Sequence, residues 1–175
     1  LYMTDVLGHP KYVNQIGRIF ASLFSDHDID VVMTIATKGI PLAYAVASHV
    51  NVPVVVVRND NRVTEGSTVS INYVSGSSKR IQTMTLARRS LQPGANVLII
   101  DDFMKAGGTI NGMIHLLEEF QAKLAGIGVF VESADIKERL VEEYVSVLKL
   151  SHVNDKDKRI EIVSGNYLQH EHKFL

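Results

Sequence analysis

The chain has 175 residues, 46% of them hydrophobic and 21% charged, with a net charge of −1. This length suits one compact domain, and no apolar run approaches the roughly 20 residues that a membrane span requires, so a membrane protein is excluded. The absence of cysteine excludes a disulfide framework and a cysteine nucleophile, and it fits an intracellular, cytoplasmic protein. The near-neutral charge excludes nucleic-acid binding over the whole surface, so any anion site must be local.

Helical and apolar strand patterns alternate in the first part of the chain. Residues 11–25 place apolar side chains at helical spacing and predict a first helix. Residues 31–35 are short, apolar and β-branched, which predicts a buried strand. Residues 41–50 are alanine-rich and predict a second helix, whose first turn tolerates Pro41. Residues 53–57 predict a second buried strand.

A different pattern follows at residues 67–86. Apolar and polar side chains alternate over 67–74, which predicts a half-exposed strand. A Ser-Gly-Ser-Ser turn at 75–78 leads to residues 79–86, which we expect to pair with it as a β-hairpin. A third buried strand is predicted at 96–100.

The clearest helical stripe lies at 109–124, and Gly126 is expected to end that helix. The remaining predicted elements are a strand at 127–131, a polar helix near 135–144, and strands at 145–150 and 159–163. Buried strands separated by amphipathic helices predict a single α/β domain over 1–175, with a mostly parallel sheet and helices on both faces.

Ligands of open α/β sheets bind beyond the carboxyl ends of the strands, so the loops that follow strands are the first candidates for a site. The loops in question lie at 36–40, 58–66 and 101–109. The third of them carries the most specific pattern, because carboxylates, glycines and a helix start follow one another within nine residues.

Each part of this third loop has a chemical use. Asp101 and Asp102 leave the predicted strand as acceptors for a sugar diol or for a divalent metal held through water. Gly107 and Gly108 allow close approach of the backbone, and the unpaired N–H groups of the following helix, with the hydroxyl of Thr109, favour a phosphate. The pattern therefore predicts a ribose 5-phosphate site. It matches neither the P-loop nor the dinucleotide fingerprint.

Residues 97–109, VLIIDDFMKAGGT, resemble the phosphoribosyl pyrophosphate (PRPP) binding motif of type I phosphoribosyltransferases. In that motif four apolar residues precede two acidic ones, a short variable stretch, and small residues with Thr or Ser. The resemblance implies that the acidic pair binds the ribose hydroxyls and that the Gly-Gly-Thr end binds the 5-phosphate. It also assigns the residues between them to the site: Phe103, Met104, Lys105 and Ala106. The alternative is an ordinary strand–loop–helix turn.

Two other segments resemble parts of the same family. A short turn after the first strand is similar to the family's pyrophosphate loop, and it consists of Ala36, Thr37, Lys38 and Gly39. The hairpin at 67–86 is similar to the flexible loop that closes over the site. Its candidate ligand-binding residues are Tyr73, Ser75, Ser77, Ser78, Lys79 and Arg80. A solvated hairpin tip is the alternative interpretation.

Residues 30–45, 58–74 and 101–112 are similar to the effector domain of the purine operon repressors of Gram-positive bacteria. The resemblance implies a homodimer that binds PRPP as effector, with Mg²⁺ as its companion ion, and that has no transferase activity and hence no catalytic residues. It implies that PRPP weakens the binding of operator DNA by the full-length protein. An N-terminal winged-helix DNA-binding domain is expected to be missing from this chain, which begins at Leu1 and not at a methionine.

Lys105 departs from the pattern of the transferases, which usually carry a small or uncharged residue at this position. A lysine there adds positive charge that favours a polyphosphate, and its side chain would crowd the space that a nucleobase needs. The alternative is that Lys105 points to solvent. An active purine phosphoribosyltransferase and a simple nucleotide-binding domain remain alternative functions.

Overall fold

The computed structural model describes residues 3–59, 66–76, 79–154 and 159–170, with no side-chain description for 152–154. Within these ranges the helices are α1 (Met3–Leu7), α2 (Pro10–Leu23), α3 (Ile40–Val50) and α4 (Gly108–Glu119). The strands are β1 (Val31–Ile35), β2 (Val54–Val57), β3 (Thr68–Val74), β4 (Ile81–Ala87), β5 (Asn96–Met104), β6 (Lys123–Ser133), β7 (Val145–Asn154) and β8 (Arg159–Ser164). No helix of this described part is long and apolar enough to cross a membrane.

Six strands form one sheet in the order β2-β1-β5-β6-β7-β8, and β3 pairs with β4 in a separate antiparallel hairpin. The pairs from β2 to β7 are parallel, and β8 runs antiparallel to β7. The mostly parallel α/β sheet and the additional hairpin predicted from the sequence are therefore confirmed.

Alternate residues of β5 contact opposite layers, which explains its uninterrupted apolar run. Val97 and Ile99 belong to a core with α4 and the hairpin. Leu98 and Ile100 belong to a second core with α2 and α3. The sheet thus has helices on both faces, as predicted, and β5 is buried between two neighbouring strands and two layers.

Two predicted boundaries around α4 are wrong. The helix ends at Glu119 and not near 124, because Gln121 adopts a φ of +56° and the N–H of Ala122 donates to the carbonyl of Leu117 at 3.0 Å. Leu124 already belongs to β6. Gly126 therefore does not end a helix. It lies within β6, where an added Cβ would collide with the ring of Phe24.

The helix predicted near 135–144 is also wrong. This segment has no helical residues, and hydrogen bonds from it and from Ala134 just before it reach other parts of the fold. The N–H of Ala134 donates to the carbonyl of Leu150 at 2.8 Å, and the N–H of Leu140 donates to the carbonyl of Ala106 at 2.7 Å. Tertiary hydrogen bonds thus replace the local bonds that a helix would require.

Two glycines one turn apart in α4 allow β3 to cross the helix closely. A Cβ on Gly108 would collide with the carbonyl oxygen of Val74, and a Cβ on Gly112 would lie 2.8 Å from the Cβ of Tyr73 and 2.7 Å from the Cε of Met84. The turn end of the hairpin is therefore fixed against the helix that follows the acidic strand.

We predict that Gly112→Ala destabilises the domain. Helix propensity favours alanine by about 1 kcal/mol, but overpacking of a closed contact costs about 1–3 kcal/mol, and the Cβ of Tyr73 cannot move without its backbone. Each net kcal/mol should lower the thermal midpoint by about 2–4 °C, as measured by calorimetry. Gly76→Ala is the control, because its nearest contact would be an ordinary 3.6 Å. An unchanged midpoint for Gly112→Ala would contradict the close contact.

Candidate functional site

A cavity of about 680 Å³ lies beyond the carboxyl ends of the central strands. One side comes from the loop after β1, another from the end of β5, and a third from the turn end of the hairpin. The predicted site residues that line it are Ala36, Thr37, Lys38, Tyr73, Ser75, Asp101, Asp102, Phe103 and Thr109. The structure thus brings all three segments of the sequence prediction to one cavity.

The acidic pair lies within β5 and not after it, because the strand continues to Met104. Asp101 is 5% exposed, and its carboxylate accepts a hydrogen bond from the N–H of Asp102 at 2.9 Å. Burial, followed by the negative charge of Asp102, raises the pKa of Asp101 well above the ordinary value. Asp102 is half-buried. A buried carboxylate without a cation beside it is an acceptor that a sugar diol or a hydrated metal ion would satisfy.

A second, smaller cavity of about 90 Å³ adjoins the first at the start of α4. Gly107 precedes the helix with a φ of +89°, and no side chain caps the helix in the described part of the chain. The first N–H groups of α4 therefore lack helical acceptors, as at known phosphate sites. The residues around this cavity are Gly76, Asp101, Phe103, Met104, Lys105, Gly107, Gly108, Thr109 and Ile110.

The remaining residues of this loop have different surroundings. Lys105 is exposed and lines the small cavity. It does not occur among the described residues that line the larger cavity. Phe103 is half-buried and lines both cavities. Met104 is buried in the core, and Ala106 bonds through its carbonyl to the N–H of Leu140. Lys105 therefore stands beside the predicted phosphate position, and its expected effect on nucleobase space receives no support from this geometry.

The loop after β1 approaches the acidic pair through Gly39. The Ala36–Thr37 peptide bond is cis, and Gly39 follows as the N-terminal cap of α3. A Cβ on Gly39 would collide with the hydroxyl of Thr34 and lie 3.3 Å from the Oδ1 of Asp101. Glycine at this position therefore permits the first loop and the acidic strand to share one cavity.

The predicted hairpin residues divide into two groups. Tyr73 and Ser75 are buried and line the larger cavity. The hydroxyl of Tyr73 donates to the Oε1 of Gln82 at 2.9 Å, and burial, with the charge of Asp101, raises its pKa. Lys79 and Arg80 are exposed and do not occur in the described lining of either cavity. Ser77 and Ser78 lie outside the described residues.

Several lining residues were missed by the sequence interpretation. They are Met3, Ile35, Asn59, Gln82, Val131, Leu150 and Ile160, and most of them are apolar. Val131 and Leu150 lie near the carboxyl ends of strands, a position that the sequence identifies, but their residue types are those of an ordinary core. Thr34 was also missed; its buried hydroxyl has no hydrogen-bond partner among the described residues.

No group of three or more His, Asp or Glu side chains within the described residues is arranged to hold a metal ion. A divalent ion here would need ligand oxygens in addition to the acidic pair, as is usual for Mg²⁺ at phosphate sites. Another cavity, of about 750 Å³, lies beside β2 and the base of the hairpin and includes Arg58, Thr85 and Gln92. It contains neither the acidic pair nor the start of α4, so the strand-end cavity is the better candidate.

The chain belongs to the phosphoribosyl transferase domain family, whose model matches residues 3–164. It is 68% identical to the purine biosynthesis transcriptional repressor PurR of Bacillus subtilis over 169 residues, which cover 97% of this chain and 59% of that protein. It is 50% identical to the purine biosynthesis transcriptional activator PurR of Lactococcus lactis over 166 residues, which cover 95% of this chain and 61% of that protein. The chain thus spans about three fifths of the length of these regulators.

Enzymes of the family are more distant. A xanthine phosphoribosyltransferase of Lactococcus lactis is 28% identical over 146 residues, 82% of this chain and 74% of the enzyme. The crystal structure of an adenine phosphoribosyltransferase from Thermoanaerobacter pseudethanolicus superposes with a TM-score of 0.75 at 21% identity, over 83% of this chain and 85% of that one. This structural likeness shows the shared fold.

We predict that Asp101→Asn stabilises the unliganded protein at neutral pH. The raised pKa of Asp101 means that the folded state binds this proton more tightly than the unfolded chain does. The stability therefore decreases as the pH rises from about 4, the ordinary pKa of aspartate, through the raised pKa of the folded state. Asparagine keeps an acceptor for the N–H of Asp102 and removes the buried charge.

Thermal unfolding between pH 4 and pH 8, in the presence of a chelator, measures this effect. The midpoint of Asp101→Asn should exceed that of the wild type at pH 7, and the difference should disappear near pH 4. Asp102→Asn, at a half-buried position, should give a smaller gain. Parallel pH profiles for the wild type and Asp101→Asn would contradict the burial of a charged Asp101.

Proposed function

We propose that this chain is the effector-binding domain of a transcriptional repressor of purine biosynthesis genes and that it binds PRPP. The observation that carries the proposal is the 68% identity to a repressor of purine biosynthesis over 97% of the chain. In this proposal PRPP weakens the binding of operator DNA by the full-length protein. The DNA-binding part is an N-terminal winged-helix domain outside this chain, and the chain's coverage of three fifths of its relatives is consistent with that arrangement.

The geometry of the site supports PRPP as the ligand. Asp101 and Asp102 would accept hydrogen bonds from the ribose hydroxyls, and the start of α4 would bind the 5-phosphate in the small cavity. The loop at 36–39 would bind the pyrophosphate with its backbone and with Lys38. Mg²⁺, held by ligand oxygens and through water by the acidic pair, would neutralise part of the charge that these groups bring together.

The proposal assigns binding and not catalysis to this site. The relatives of high identity are named as regulators, and a binding domain needs only the difference in affinity between two states of the full-length protein. The active form would be a cytoplasmic homodimer. Its oligomeric state can be measured by sedimentation of the purified chain.

An active purine phosphoribosyltransferase is the second candidate function. It is favoured by the 28% identity to a xanthine phosphoribosyltransferase and by the apolar side chains that line part of the larger cavity, which a planar base could contact. The two functions differ in turnover. A transferase releases pyrophosphate when PRPP and a base are supplied, whereas an effector domain binds PRPP and leaves it intact.

The decisive experiment combines calorimetric titration of the chain by PRPP and Mg²⁺ with an assay for pyrophosphate release in the presence of adenine, guanine, hypoxanthine or xanthine. We expect binding without turnover. Replacing Asp101 and Asp102 together by alanine should lower the affinity at least about a hundredfold, since each charge-assisted hydrogen bond contributes about 1.5–3 kcal/mol. The control, Glu118→Ala with Glu119→Ala, removes two exposed carboxylates at the far end of α4. Sustained pyrophosphate release would favour the transferase.

Lys105→Ala should weaken PRPP binding about tenfold without altering the thermal midpoint. The lysine lines the small cavity and is exposed, so its attraction for the 5-phosphate is partly screened by salt and corresponds to about 1.4 kcal/mol. Titration at two salt concentrations measures the effect, which should decrease at the higher one. Lys123→Ala removes an exposed lysine at the start of β6 and is the control. Equal affinities for Lys105→Ala and the wild type would mean that the lysine does not contact the ligand.

A further inference from the structure

The segment between β6 and β7, residues 134–144, lies against the loop at 105–109, which we call the phosphate loop. Val141 is buried, and a Cβ on Gly107 would lie 3.0 Å from its Cγ2. The N–H of Leu140 donates to the carbonyl of Ala106 at 2.7 Å. This segment therefore forms the wall of the phosphate loop on the side away from the hairpin.

Arg139 joins this segment to the phosphate loop and to β6. Its Nη1 donates to the carbonyl of Lys105 at 3.3 Å, and its Nη2 donates to the carbonyl of Ser133 at 2.8 Å. The same Nη2 lies 3.3 Å from the Oε2 of Glu132. The guanidinium also lies over the ring of Tyr144, 5.3 Å from its centroid. One side chain thus connects the phosphate loop to three groups of the neighbouring strand and segment: the carbonyl of Ser133, the carboxylate of Glu132 and the ring of Tyr144.

Buried Glu132 fixes the position of Arg139. Its side chain is 4% exposed and accepts hydrogen bonds from the hydroxyl of Tyr144 at 2.6 Å and from that of Ser146 at 2.7 Å. Burial and the hydrogen bond to Glu132 raise the pKa of Tyr144 to about 12, so the tyrosine remains a donor throughout the neutral range. Both oxygens of the Glu132 carboxylate accept hydrogen bonds, which fix its position. The ion pair with this carboxylate in turn holds the Arg139 guanidinium in one orientation.

These contacts determine which side of the phosphate loop presents N–H groups. Arg139 and Leu140 hold the carbonyls of Lys105 and Ala106 on the side of the 134–144 segment. In a trans peptide the C=O and the N–H point in opposite directions. The N–H groups of Ala106 and Gly107 consequently point away from that segment, and no carbonyl of these two peptides is turned toward an anion in the small cavity.

We propose that Arg139 is a positioning residue for phosphate recognition: held by Glu132, it fixes the peptide planes of the phosphate loop so that their N–H groups face the anion. The proposal rests on the proposed binding of a 5-phosphate. Arg139 itself does not touch the ligand, because its donors are occupied by backbone carbonyls and by Glu132 on the other side of the loop. Lysine cannot replace it, since a single ammonium cannot reach all three acceptors in this planar arrangement.

Amide hydrogen exchange of the unliganded protein tests the positioning itself. The reporters are the amides that bond to the carbonyls of the phosphate loop, those of Leu140 and Asn111. In Arg139→Lys both should exchange at least about tenfold faster, whereas the amides of β1 and β5 should not change. Lys137→Ala removes an exposed cation two residues away and should leave exchange at Leu140 and Asn111 unchanged. The double variant Arg139→Met with Glu132→Gln leaves no buried charge without a partner, so it keeps the test valid if single variants fold poorly. Protection of Leu140 and Asn111 equal to the wild type in the double variant would overturn the proposal.

Ligand titrations separate this role from general destabilisation. Arg139→Lys and the double variant should bind ribose 5-phosphate and PRPP about tenfold more weakly, whereas the affinity for pyrophosphate alone, which depends on the loop at 36–39, should not change. An equal loss for all three ligands would show a merely structural role and would also overturn the proposal. If the wild type binds neither PRPP nor ribose 5-phosphate, the proposed function fails, and hydrogen exchange still decides whether Arg139 orders the loop.

Discussion

The start of α4 is closely packed by two other segments of the chain, and most of the site depends on this constraint. A side chain on Gly108 would collide with the carbonyl of Val74 at the end of β3, and one on Gly107 would press against the side chain of Val141. Two segments far apart in the sequence thus meet at two adjacent glycines. The orientation of α4, the docking of the hairpin and the shape of the small cavity all follow from this close approach.

In the unliganded protein a buried carboxylate reduces the stability that this packing provides. Asp101 lies at the end of the central strand, and burial and the neighbouring Asp102 raise its pKa. The domain therefore carries an electrostatic cost at neutral pH that a hydrated cation and a sugar diol would relieve. Sites of this kind commonly sacrifice stability for function, and the two cores on either side of β5 supply the compensation through buried apolar area.

The sequence predicted which segments form the core strands, because each of them contains a short, largely β-branched run between turn residues. It also predicted the acidic pair and the glycines as candidate ligand-binding residues, because their pattern lies within one loop and can be recognised without the rest of the chain. It could not predict the end of α4, since Leu124 continues the apolar spacing although the chain has already reversed at Gln121. Hydrophobic periodicity shows where apolar side chains recur, but it does not reveal the one residue whose positive φ ends the helix.

The segment at 135–144 shows a second limit of sequence interpretation. Its polar and apolar residues are compatible with a helix, but the N–H of Leu140 donates to the carbonyl of Ala106, and the N–H of Ala134 just before the segment donates to that of Leu150. Only the assembled sheet brings these acceptors within reach. The sequence indicates an exposed charged face for Arg139, because a charged residue in a polar segment is usually solvated. Its contact with Glu132 could not be predicted for the same reason, since it depends on where β6 ends.

In the proposed PRPP site, the chemistry of the phosphate loop favours a sensor over an enzyme. A cation such as Lys105 would attract the 5-phosphate equally in the ground state and in the transition state of transfer, because the bond that breaks lies at the other end of the ribose. Such uniform binding lowers the concentration at which a site fills and does not accelerate turnover. For a sensor this is the useful quantity, since its response depends on how strongly a ligand favours one state of the protein over another. An exposed lysine beside the small cavity therefore agrees better with the proposed ligand sensing than with catalysis.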